Sequence, residues 1–140
     1  MQHSRNKRNI SCCFFLLMLL LLAPFAQAQS KWNTPQEANN LKNPYANNTS
    51  VLKDAKVLYM ANCAPCHGAK GKGDGAAAVA LNPKPADHSS DAVQKETDGA
   101  LFWKISEGHN PMPQYKQTFS EAQRWALVNY IRTLAKNPKK

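Results

Sequence analysis

Apolar residues run unbroken over positions 14–23 and recur later at helical spacing in two separate segments. In the first, Val51, Leu52, Ala55, Leu58, Tyr59 and Asn62 fall at i, i+3, i+4, i+7 intervals, the signature of one apolar helix face. Thr49 or Ser50 offers its cap, so a helix is expected from there to Asn62. In the second, Ser120 and Gln123 make a capping box. Trp125, Val128, Ile131 and Leu134 supply the buried side of a helix reaching about Ala135, before Asn137-Pro138. A shorter helix is expected over 98–107, with Asp98 as cap and Gly108 as stop. No segment alternates apolar and polar residues as a strand would, so the domain is expected to be all-α.

The remaining stretches lack periodicity. Residues 29–48 are polar, rich in asparagine and broken by Pro35 and Pro44, an extended lead with Trp32 and Tyr45 as anchors on the domain surface. Residues 68–97 read as irregular chain, with Gly68, Gly71, Gly73 and Gly75, an alanine-rich patch over 76–80, then Pro83 and Pro85. The run at 14–23 follows Arg5, Lys7 and Arg8 and precedes Ala26-Gln27-Ala28, the anatomy of a secretory signal cut before Gln29. Its apolar stretch falls short of the ~20 residues that comfortably span a bilayer, which disfavours the alternative of an uncleaved anchor. Three parts result: a signal peptide at 1–28, a polar lead at 29–48 and one domain at 49–140, in a protein expected in the periplasm or otherwise exported.

Cleavage changes the cysteine and charge arithmetic. Cys12 and Cys13 leave with the signal, so the mature chain keeps only Cys63 and Cys66. Fifteen of the 18 Lys and Arg residues follow residue 28, against nine Asp and Glu, leaving a formal +6. Outside the cytoplasm that balance points away from nucleic acid and toward an acidic protein partner.

The densest chemistry is "ANCAPCHGAKGKGDG" at 61–75. A thioredoxin-like dithiol needs its first cysteine at a helix N-terminus after a strand, whereas here a helix precedes and a glycine loop follows. A structural zinc site needs four Cys/His ligands as local pairs, and His88 and His109 are too far apart to form one. The glycine loop lacks the GK[ST] ending of a phosphate loop. C-x-x-C-H is the signature of covalent haem c attachment: two thiols become thioethers, and His67 becomes the proximal iron ligand. The opposite ligand must come from elsewhere. Met60 lies on the helix that carries the cysteines, while Met112 stands between Pro111 and Pro113 in a stiff loop, "GHNPMPQY", and is preferred. His109 is the rival ligand and His88 the third candidate.

These features resemble the class I c-type cytochromes over nearly all of the mature chain: Ala55-x3-Tyr59-x3-Cys63-Ala-Pro-Cys66-His67-Gly68, the glycine loop, "LNPKPAD", "GHNPMPQY" and "FSEAQRWALVNYIRTL". The resemblance implies three to four helices around one covalent haem, with iron held by His67 and Met112. It implies that Ala55 and Tyr59 cross the last helix near Trp125, Val128 and Tyr130. It also implies a proline carbonyl, that of Pro83 or else Pro85, accepting from the proximal imidazole. The lead is similar to that of single-haem cytochromes of bacterial respiratory assemblies. The expected role is single-electron transfer between redox protein partners, not catalysis, with Lys70, Lys72, Lys84 and Lys116 available to orient an acidic docking surface. The alternatives are a haem subunit of a larger oxidoreductase, which would meet the membrane only through that complex, and a gas-binding sensor with an open sixth position.

Overall fold

A computed structural model describes residues 32–136. The expected signal peptide, with Cys12 and Cys13, and the terminal Lys139 and Lys140 lie outside the described residues. In chain order the elements are α1 (Gln36–Asn39), α2 (Leu52–Asn62), α3 (Ala64–His67), a 3-10 turn (Ala76–Ala80), α4 (Asp91–Gln94), α5 (Asp98–Glu107) and α6 (Glu121–Thr133). There is no strand among the described residues, only an isolated bridge between His109 and Met112.

The core is the crossing of α2 and α6. Ala55 and Tyr59 on α2, and Leu127 and Val128 on α6, are almost fully buried. Ala55 is small enough to let the helices approach, and the Tyr59 ring lies 5.0 Å from that of Tyr130. Helix α5 completes the wall, with Phe102 stacked on Trp125 at 3.9 Å between ring centroids. This is the crossing the apolar spacing and the resemblance anticipated. Met60 points away from it and is 42% exposed.

Helix starts show where local patterns mislead. The capping box of α6 is complete: the Gln123 backbone N–H donates to Ser120 Oγ at 3.2 Å and the Ser120 N–H to Gln123 Oε1 at 2.8 Å. The cap of α5 is Thr97, one residue before the expected Asp98, because Asp98 is claimed by distant partners. Its carboxylate accepts from Arg132 Nε at 2.9 Å and Asn43 Nδ2 at 3.0 Å, while Thr97 Oγ1 takes the Ala100 N–H at 3.0 Å. Helix α2 has no side-chain cap at all, since the Ser50 hydroxyl turns back to Asn48 Oδ1 at 2.6 Å. The lead and the 68–97 stretch carry three short elements that were expected as irregular chain: α1, the 3-10 turn and α4.

Candidate functional site

The site begins where α2 ends. Cys63 closes α2 and opens α3, its N–H bonded to the Tyr59 carbonyl and its own carbonyl accepting from Cys66 and His67 at 3.1 and 2.8 Å. Pro65 sits in the first turn of α3, where a missing N–H costs nothing. Gly68, with φ +80°, stops the turn. The glycine loop then folds back over it: Gly73 donates to the His67 carbonyl at 2.8 Å and Gly75 to the Cys66 carbonyl at 3.1 Å. A Cβ at Gly75 would overlap the carbonyl oxygens of Ala64 and Pro65, so only glycine permits this approach. The loop is a clasp for the cysteine turn.

Cys63 and Cys66 are unbridged and half-buried. Burial, reinforced by the neighbouring Cys66 sulfur, pushes the Cys63 thiol up to about 12. A protonated thiol of this kind is a poor nucleophile, contrary to what a redox dithiol requires. Among the described residues no group of three or more His, Cys, Asp or Glu side chains converges to hold a metal ion by itself.

His67 is buried, and its Nδ1 lies 2.9 Å from the Ala86 carbonyl. A carbonyl only accepts, so Nδ1 carries the proton and Nε2 keeps its lone pair. Burial lowers the imidazole pKa against an opposing pull from that hydrogen bond. The acceptor corrects the expectation for Pro83. Pro83 is exposed and the Pro85 carbonyl lies against Gly73, so the ring is met by the next carbonyl, that of Ala86. Neither proline carbonyl takes the role.

His88, the third candidate ligand in the sequence, lies against His67. Its ring stacks on that of His67, with centroids 4.0 Å apart and planes 17° apart. Lying on the face of the His67 ring and away from the line of its Nε2, His88 would not serve as a second ligand to a group held by that nitrogen. His88 Nδ1 is 3.1 Å from the Tyr59 hydroxyl, which is also 3.2 Å from the Gly68 carbonyl. Burial, then the adjacent His67, lowers the His88 pKa to about 3, so the ring is neutral.

Met112 sits half-buried in the loop after α5. The His109 N–H donates to the Met112 carbonyl at 2.9 Å and the Met112 N–H to the His109 carbonyl at 2.7 Å, closing a four-residue loop. The chain then returns to α5 through Tyr115 N–H on the Ile105 carbonyl at 3.0 Å. The Tyr115 hydroxyl donates to the Asn62 carbonyl at 3.0 Å, beside Cys63. Burial and the two cysteine sulfurs push the Tyr115 phenol up to about 12. The loop that carries Met112 is thereby fastened to the end of α2 that delivers the cysteines.

The family model described as Cytochrome c matches residues 52–135, well over half of the chain. The chain belongs to the cytochrome c family. Proteins of this family bind haem c covalently, and Cys63, Cys66 and His67 stand as its C-x-x-C-H motif. The residues present fit that group: two reduced, unbridged thiols on one turn, followed by a buried imidazole whose Nε2 alone is left to bind iron. No curated protein matches this cytochrome. Among solved structures it is similar to a chain of the Kuenenia stuttgartiensis reducing HAO-like protein complex, at 25% identity and a TM-score of 0.55. The alignment covers 63% of this cytochrome and 45% of that chain, so the cytochrome spans less than half of its length.

Proposed function

We propose that this cytochrome is an exported, single-haem carrier of single electrons, with His67 and Met112 as the two axial ligands. When bound, haem c supplies a one-electron iron couple. The chain supplies the rest. Cys63 and Cys66 anchor the group through thioethers, so the thiols do not cycle. The Ala86 carbonyl holds the Nδ1 proton of His67, fixing the tautomer and raising the basicity of Nε2. The neutral His88 ring limits rotation of the imidazole. The Met112 thioether would be the second ligand, which would raise the potential relative to nitrogen ligation alone and leave no open site for a substrate.

The observation that carries this reading is the buried His67 with Nδ1 committed to a carbonyl, directly after the paired thiols. Absorption spectra of the purified protein in both oxidation states test it. The expected result is a low-spin haem with a sulfur-to-iron band when oxidised and no carbon monoxide uptake when reduced. Ready carbon monoxide binding would replace this reading with that of a sensor whose sixth position is open.

Export rests on the charged, apolar and small-residue pattern of residues 1–28. Redox protein partners with acidic surfaces fit the basic balance of the mature chain. Of the four candidate lysines, Lys70 and Lys72 are exposed and in no ion pair among the described residues. Lys84 is turned onto the Ala78 and Val79 carbonyls at 2.9 and 3.2 Å, and Lys116 pairs with Glu107 at 3.2 Å. Lys70 and Lys72 are therefore the pair best able to steer a partner. A second reading, the haem subunit of a larger oxidoreductase, is favoured by the likeness to a chain of a redox complex. Salt separates the two: transfer by a free carrier slows steeply as ionic strength rises, whereas a subunit co-purifies through it.

A further inference from the structure

The polar lead, expected to rest on the surface, is knit into the domain. Helix α1 packs on α5 with Ala38 buried. A Cβ at Gly99 would overlap the Ala38 carbonyl oxygen and crowd Leu41, so the contact is backbone against backbone. Asn43 Nδ2 donates to Asp98 and to Asn129 Oδ1 at 3.0 and 2.7 Å, and Asn129 returns a bond to the Tyr45 carbonyl at 2.7 Å. With α1 fixed in this way, residues 32–35 before it have a defined direction. Trp32 lies across α5 with its ring 6.1 Å from that of Trp103, and Lys104 Nζ stands 5.5 Å over it. Lys104 is itself held by Glu96 at 2.7 Å.

Beyond Trp103, Trp32 reaches His109, with ring centroids 5.2 Å apart and planes inclined by 32°. His109 is the residue whose backbone pairs in both directions with Met112. A continuous path of contacts thus runs from a helix-anchored lead, through one indole, to the loop that bears the thioether. We propose that Trp32 is a positioning residue for Met112: the lead straps the loop closed and so guards the sixth iron position against outside ligands. The proposal rests on the assignment of Met112 as axial ligand. Aromatic pairs of this kind bias an equilibrium by roughly two- to tenfold, and that is the expected size of the guard.

The test titrates the oxidised holoprotein with imidazole, following the loss of the sulfur-to-iron band. Trp32→Ala is expected to bind imidazole roughly two- to tenfold more tightly than the unaltered protein, and Trp32→Phe to lie close to it. Val93→Ala, which thins the buried core but leaves Trp32, Trp103 and His109 in place, is expected to leave the affinity unchanged. Met112→Ala is expected to lack the band from the outset. Unchanged affinity in Trp32→Ala, with the band absent from Met112→Ala, would overturn the strap and leave the ligand assignment standing. An equal gain in Val93→Ala would overturn it as well, because general loosening would then explain the effect. A band that survives Met112→Ala would remove the ligand assignment and the strap together.

Discussion

The surroundings of the two proposed ligands, His67 and Met112, are built by opposite means. On the His67 side, ligand, hydrogen-bond acceptor, stacking ring and glycine clasp are packed within one short stretch of backbone, and His67 and His88 are buried against the core. On the Met112 side, the residue hangs in a half-buried loop closed by two backbone hydrogen bonds and held at its rim by side chains from elsewhere. Core groups cannot move without opening cavities or stranding polar atoms. Loop groups move at the cost of a few local contacts. On the proposed ligand assignment, the His67 side would secure the haem, and exchange or loss of a ligand would begin at the Met112 loop.

The sharpest way to break that contrast is to remove its foundation. Cys63→Ser combined with Cys66→Ser should give protein with no covalent haem, read as complete extraction of haem by acidified solvent. Haem that resists extraction would show that the cysteine turn is not the attachment point. Next in size, Met112→Ala should lower the reduction potential on the order of a hundred millivolts or more, within the roughly 0.8 V that axial ligands command. Potentiometric titration checks this, and an unchanged potential would mean that the loop does not reach the iron.

A smaller effect separates packing from ligation. Gly75→Ala drives a methyl into the Ala64 and Pro65 carbonyls and should cost about 1–3 kcal/mol in denaturant unfolding, the usual range for overpacking. The sulfur-to-iron band should persist, since the Met112 loop is untouched; loss of the band would show that the two sides are not independent. Smallest of all, Ser120→Ala removes the α6 cap and should cost about 1 kcal/mol while leaving both oxidation-state spectra as they were. A spectral change there would mean that α6 fraying is felt at the haem.

How much of this could be read from the letters follows the same divide between local and distant causes. Helices α2, α5 and α6 were legible because apolar spacing and end signals act within a turn or two. Their starts were less so: Asp98 looks like a cap until Arg132, 34 residues away, claims its carboxylate. Helices α1 and α4 are four residues each, too short to show a period. Cys63, Cys66 and His67 were legible because attachment chemistry requires them to be contiguous. Ala86 was not, because its contribution is a backbone carbonyl that any residue supplies, and a proline was expected in its place. The placement of His88 depends on the fold of the whole glycine loop, so its letter suggested only that an imidazole was available.

Tyr59 gathers much of this into one side chain. Its ring fills the helix crossing against Tyr130, and its hydroxyl stands between the Gly68 carbonyl and His88 Nδ1. For a lineage drifting at this position, the two halves of the residue are separable in one direction only. Loss of the hydroxyl, as phenylalanine, keeps the crossing filled and withdraws a partner from the His88 ring that stacks on His67. Any aliphatic replacement gives up both at once. The mutational route that alters the surroundings of His67 while sparing the architecture is therefore a single oxygen atom wide.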